Sequence, residues 1–266
     1  MFTAPSKRRI SSQYTYRSDV WTREDLVVTT KIFVGTKGFV EGGPNDQGLG
    51  RKHIVEGLKA SLRRLQHDNV DVQGWAYYWG TSEWLASDIQ EACEIADRLG
   101  LIRPVVEQPQ YGLIDRNKVE FEFVDLYKKY KLGLTTWSPL SLGVLSGKYS
   151  AGKPVESRFT TPFFKGLPLV PSFEKRVEIA DKLKPIAAEL GCSLPQLALA
   201  WCASNENVST VLVGASRPEQ LEENLKALNF VDKITPELKA RIDAIVNFVP
   251  TAPVANELAS LRGRFL

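Results

Sequence analysis

Apolar positions along the chain recur with two different periods, and each change of period marks an element. Residues 26–33 (Leu26-Val27-Val28-Thr29-Thr30-Lys31-Ile32-Phe33) are aliphatic and β-branched enough to predict a strand. Residues 35–50, rich in Gly with Pro44 and Asn45, predict a loop. Over 51–66 the spacing of Ile54, Leu58, Leu62 and Leu65 puts them on one helical face. Strands are predicted at 70–72 and within 75–82, then a helix over 85–99 closed by Gly100, a strand over 104–108, a helix over 120–130 and a strand over 134–138. Helices at 173–190 and 195–204 precede a last strand at 209–213. Between them, 143–171 is a Gly- and Pro-containing loop too long to be only a connector, which suggests an active-site or cofactor-covering segment. Residues 1–20 show no clear periodicity, and the tail from Pro250 predicts irregular chain with a short helix.

Repeated strand-helix units predict parallel strands with helices outside, most simply a (β/α)8 TIM barrel with its chemistry at the carboxy ends of the strands. Lys31, Ser82, Gln108, Trp137, Ser138 and the Gly214 to Ser216 turn all fall at such ends. A flavodoxin-like open sheet is the alternative, and it would not require that convergence. If the strands at 70–72 and 77–81 are parallel neighbours, only Gln73 to Ala76 join them. A parallel crossover needs about a dozen residues or more, usually a helix. One βα unit is therefore missing and the barrel is incomplete, with strand edges that closure would have removed.

The change of period is sharpest around Gly214. Val211, Leu212 and Val213 give way at Gly214 to a helical pattern that starts near Ser216. Ser216 with Glu219 has the form of a capping box, and Pro218 suits a first helical turn. Unsatisfied N–H groups at a helix start favour a phosphate, and Arg217 adds a forked cation. The same residues also fit a well-capped helix that binds nothing.

Composition narrows the picture. The 266 residues suffice for a single α/β domain, and 34 basic against 31 acidic side chains leave +3, too weak a bias for nucleic-acid binding. Cys93, Cys192 and Cys202 are widely spaced, which suits reduced thiols in a cytoplasmic protein and not a disulfide framework or zinc site. No apolar run reaches the ~20 residues needed to span a bilayer. Ligand clusters for a metal and a Gly-x-Ser-x-Gly elbow are both absent from the sequence.

Gly214-Ala215-Ser216-Arg217-Pro218-Glu219-Gln220-Leu221-Glu222-Glu223-Asn224 resembles the carboxy-terminal NADP-binding segment of the aldo-keto reductases, in the branch that includes the β subunits of voltage-gated potassium channels. The resemblance runs from about Trp21 to Asn247. It implies an oxidoreductase domain over 21–249, between a poorly defined segment at 1–20 and a tail at 250–266. Thr30-Lys31 is similar to the family's catalytic lysine strand. Trp79-Gly80-Thr81-Ser82 resembles a strand end where Ser82 would bond the nicotinamide amide, and Gln108 resembles the next amide contact. Trp137-Ser138-Pro139-Leu140 resembles the segment that stacks on the nicotinamide and begins the pyrophosphate cradle, continued by Gly143, Lys148 and Arg158. Gly214, Ser216, Arg217, Gln220, Glu223 and Asn224 would hold the adenosine end, and Arg217 beside a 2′-phosphate implies NADP(H).

The family reduces aldehydes and ketones with NADPH, using a tyrosine whose pKa a lysine lowers, together with an aspartate and usually a histidine. The aspartate and tyrosine have no recognisable counterpart in residues 1–25, and His53 and His67 sit in or just after a helix. Lys31 is what this chain retains of the tetrad. The resemblance thus implies a reductase of small carbonyl compounds or, alternatively, a weakly active or inactive NADP(H)-binding regulatory protein. Channel-branch relatives form tetramers, so a homo-oligomer and a channel partner are implied as well. Glu83 stands where animal channel subunits tend to carry an arginine.

Overall fold

Helix α1 (Arg51–Leu65) forms where apolar residues recur at helical spacing and stops where Gln66 turns left-handed, at φ 59°. The computed structural model describes residues 22–33, 43, 46–72, 76–151 and 172–253. The chain divides into two compact units, one reaching to Glu107 and the other spanning Gln108–Ala252.

In the first unit α1 lays Leu58, 1% exposed, against Ile32 and Val70, with Val28, Leu62 and Leu65 around them. Ile54 shares that face by spacing but is 37% exposed, because the stripe is buried only where Ile32 and Val70 cover it. The strand predicted over 26–33 does not form as a continuous element; the segment shows an isolated bridge at Thr29. Asp71 explains the interruption. Its N–H donates to Val28 O at 2.8 Å, but its carboxylate, not a carbonyl, accepts from Val28 N at 2.6 Å. A side chain thus occupies a position where a ladder would continue.

Strands β1 (Val70–Val72) and β2 (Ala76–Tyr78) pair in parallel, with Val70 opposite Ala76 and Val72 opposite Tyr78. The parallel neighbours required by the sequence argument are therefore present, separated in the chain by residues 73–75 alone. Next come β3 (Gly80–Thr81) and β4 (Val106–Glu107), also parallel and joined through helix α2 (Ala86–Leu99) in the ordinary βαβ manner. Gly100 ends α2 in the left-handed conformation, at φ 65°.

In the second unit the helix predicted over 120–130 is split into a π turn (Lys118–Glu122) and helix α3 (Val124–Tyr130). At the break, Phe123 N reaches back to Lys118 O at 2.9 Å while its ring is fully buried. Strand β5 (Gly133–Thr136) pairs in parallel with β6 (Thr210–Val211). Helices α4 (Phe173–Leu190), α5 (Leu194–Ala203) and, beyond α6 (Pro218–Leu225), α7 (Pro236–Val246) supply most of the core. Helix α5 is apolar nearly all round and buried accordingly. Its start carries a reciprocal capping box between Ser193 and Gln196, which the sequence reading did not find. Among the described residues no single helix is long and apolar enough to cross a membrane.

Candidate functional site

Lys31 and Ser82, far apart in sequence, meet in the first unit: Lys31 Nζ donates to Ser82 Oγ at 2.7 Å. Lys31 as a residue is exposed, yet the chain packed around its amine pushes the pKa down to about 8, with Glu83 and Glu107 pulling it back up. Ser82 is delivered by β3, whose Gly80 is demanded by packing. A Cβ there would sit 2.4 Å from both Val106 Cγ1 and Val106 O. Thr81 Oγ1 in turn donates to the buried carboxylate of Glu107.

The other candidate residues that the structure describes lie in the second unit. Gln108 is buried and reaches Thr135 Oγ1 at 3.4 Å. Trp137 continues β5 through a parallel bridge to Gln110. Beyond it the backbone enters the left-handed region repeatedly, at Ser138 (φ 56°), Ser141 (φ 47°), Leu142 (φ 56°) and Gly143 (φ 100°). Three of these residues are not glycine, so the shape is unfavourable in itself and must be held by its surroundings. Pro139 and Leu140 lie inside this turn, and Gly112 admits it: a Cβ at 112 would come 2.9 Å from Pro139 O. Ser138 Oγ accepts from Leu142 N at 2.8 Å. Lys148 is exposed, its Nζ 5.0 Å from the centroid of the buried Tyr149 ring. Arg158 lies outside the described residues.

Sequence reasoning missed the side chains that hold this turn. Arg176 of α4 grips both carboxylate oxygens of Asp115, at 2.7 and 2.8 Å, and also donates to Ser141 Oγ at 2.7 Å. The ion pair spans 61 residues, a separation at which no local pattern signals it.

At the other candidate end, α6 begins one residue later than the capping box implies. Arg217 is the N-cap, extended at φ −141° and ψ 146°, and Pro218 is the first helical residue. A residue before proline is driven out of the helical region, which moves the cap from Ser216 to Arg217. Ser216 instead bonds through its N–H and hydroxyl to Gln220 Oε1, at 3.1 and 3.0 Å. Glu223 is anchored by Gln196 Nε2, which donates to its carbonyl at 3.0 Å and its carboxylate at 2.9 Å. Asn224 follows, half-buried. Gly214 has open space where a Cβ would stand, and Arg217 is exposed, with no ion pair among the described residues.

This arrangement pairs an exposed guanidinium and a helix start with a small-residue turn, preceded in the chain by a strained turn at a strand's carboxy end. The aldo/keto reductase family model matches residues 72–247, well over half of the sequence. The chain belongs to the aldo/keto reductase family. Its fold class is accordingly the (β/α)8 barrel, to which its parallel strands and intervening helices conform.

Three relatives place it more finely. It is 49% identical over 255 residues to a "Probable voltage-gated potassium channel subunit beta" of Oryza sativa subsp. japonica, covering 86% of this chain and 76% of that protein. A protein of the same description from Arabidopsis thaliana is 47% identical over 258 residues, covering 88% and 77%. A "Putative voltage-gated potassium channel subunit beta" of Schizosaccharomyces pombe (strain 972 / ATCC 24843) is 42% identical over 256 residues, covering 86% and 74%. The aligned length of 255 exceeds 86% of 266 residues, so this aldo/keto reductase lacks residues that its rice relative has within the match.

The family generally binds NAD(P)H, and the residues present fit such a dinucleotide at its phosphates: Arg217 is exposed and makes no ion pair among the described residues, and Gly214 leaves room for close backbone approach.

Proposed function

We propose that this aldo/keto reductase binds NADP(H) and reduces small aldehydes and ketones by hydride transfer. The observation that carries the reading is Arg217, an exposed guanidinium at the N-cap of α6, suited to a 2′-phosphate that NAD lacks. In this reading Gly214, Ser216, Gln220, Glu223 and Asn224 shape the adenosine end, with Glu223 already fixed by Gln196. Trp137, Ser138, Pro139, Leu140, Gly143, Lys148 and Arg158 serve the nicotinamide and pyrophosphate, and Ser82 and Gln108 the amide. Bound NADPH supplies the hydride. Lys31 holds its proton loosely at about pH 8 and shares it with the Ser82 hydroxyl, so it is the group assigned to proton exchange. The oxidoreductase domain is assigned to 21–249, and the protein to the cytoplasm.

A second reading keeps the cofactor and drops rapid turnover: an NADP(H)-binding regulatory protein that associates with a potassium channel. The names of the three relatives favour it. Titration with NADPH, followed by quenching of tryptophan emission, tests what the two readings share. Saturable quenching that Arg217→Ala weakens by about tenfold or more, with NADH binding unchanged, is expected, since charge-assisted phosphate contacts carry roughly 1.5–3 kcal/mol. No saturable change in folded protein overturns both. Aldehyde-dependent NADPH consumption lost in Lys31→Met selects the first. Absence of turnover, with capture of a channel cytoplasmic domain, selects the second.

A further inference from the structure

The left-handed turn after β5 is tied down by one compact set of charges. Asp115 receives both arms of Arg176, and Ser141 Oγ donates to Asp115 Oδ2 at 3.2 Å while accepting from Arg176 Nη1 at 2.7 Å. Gln110, opposite Trp137 in the parallel bridge, donates to the same Asp115 oxygen at 3.1 Å. The ion pair is largely enclosed, its side chains 13% and 18% exposed, so solvent screens it little. A forked, charge-assisted pair fixes direction as well as distance. Through Ser141 that direction is imposed on a backbone that a serine and a leucine would otherwise leave. The 214–224 segment is held differently, by the bonds of Ser216 to Gln220 and of Gln196 to Glu223.

We infer that Asp115 and Arg176 are a positioning pair, holding the turn from Ser138 to Gly143 in the shape that receives the nicotinamide and pyrophosphate half of a dinucleotide. The pair touches no reacting atom; it acts through Ser141 and through Gln110. This inference rests on the NADP(H) reading and adds to it a division of labour: α4 sets one half of the site, and the start of α6 the other.

Two probes separate that role from simple stabilisation. NADPH needs both halves, whereas adenosine 2′,5′-bisphosphate needs only the Arg217 end. In Arg176→Gln and Asp115→Asn the turn spends most of its time in other shapes, so NADPH affinity should fall about tenfold, the fraction of competent turn multiplying the affinity directly. Binding of adenosine 2′,5′-bisphosphate should stay within about twofold of wild type. Arg176→Lys keeps the charge without the fork and should not restore NADPH binding. Ser141→Ala, which leaves the ion pair intact, should show the same selective loss and serves if either charge variant fails to fold. Equal weakening of both probes, or unchanged NADPH binding in these variants, overturns the positioning role alone. Failure of folded wild type to bind NADPH removes the cofactor reading and this role with it.

Discussion

Lys31 Nζ donates to Ser82 Oγ at 2.7 Å across 51 residues of sequence, and among the described residues that hydroxyl, not a carboxylate, is its hydrogen-bond partner. Burial lowers its pKa from 10.5 to about 8 in the folded protein. Between those values the unfolded chain binds the proton and the folded chain does not, so this group's contribution to stability rises with pH across that window and is a constant penalty below it. Lys31→Met removes the dependence. Paired thermal unfolding from pH 7 to 10.5 should show the wild type gaining on the variant as pH climbs through 8. A constant difference would mean that the amine titrates normally.

Gly80 is set by contact, not by backbone conformation. Its absent Cβ would fall 2.4 Å from Val106 O, a backbone atom that the parallel pairing with β4 holds in place. Gly80→Ala should destabilise by about 2 kcal/mol in urea unfolding, through overpacking. Trimming the side chain should not help, because the carbonyl remains. Full recovery in Gly80→Ala/Val106→Ala would refute that assignment.

Two serines test where helix starts lie. Ser193 receives the Gln196 N–H in a true capping box, so Ser193→Ala should cost about 1 kcal/mol. Ser216 caps nothing, and Ser216→Ala should stay within about 0.5 kcal/mol. Reversal of that order in chemical denaturation would put the start of α6 back at Ser216.

The contrast shows what could be read from the chain. Helices α1, α2, α4 and α5 were legible because their signals are local and repeat, whereas the parallel pairing of β1 with β2 entered only as a supposition from the strand-helix alternation, since an interval that short would not by itself suggest parallel neighbours. The start of α6 was misplaced because Ser216 with Glu219 matches one motif while Arg217-Pro218 obeys a stronger steric rule. At 26–33 the Asp71 carboxylate replaced a carbonyl partner, which propensity cannot anticipate. Asp115, Ser141 and Arg176 were invisible for a different reason: each is an ordinary polar residue until folding brings the three together.

Arg116 carries a buried polar contribution to stability outside the candidate site. It is 4% exposed, bonds Leu113 O through Nε at 2.8 Å and Asp243 Oδ1 through Nη1 at 2.6 Å, and lies with its guanidinium carbon 4.4 Å from the Trp201 ring. Asp243 is half exposed, so water can replace its share of the ion pair, whereas nothing replaces the plane stacked on Trp201. Arg116→Ala should therefore cost about 3 kcal/mol, and Arg116→Lys should recover little of it, since an ammonium cannot both stack and fork. Asp243→Asn should cost under about 1 kcal/mol. Urea unfolding of the three variants decides the matter: if Asp243→Asn proves as damaging as Arg116→Ala, the ion pair and not the buried stacked guanidinium anchors α7 to this part of the core.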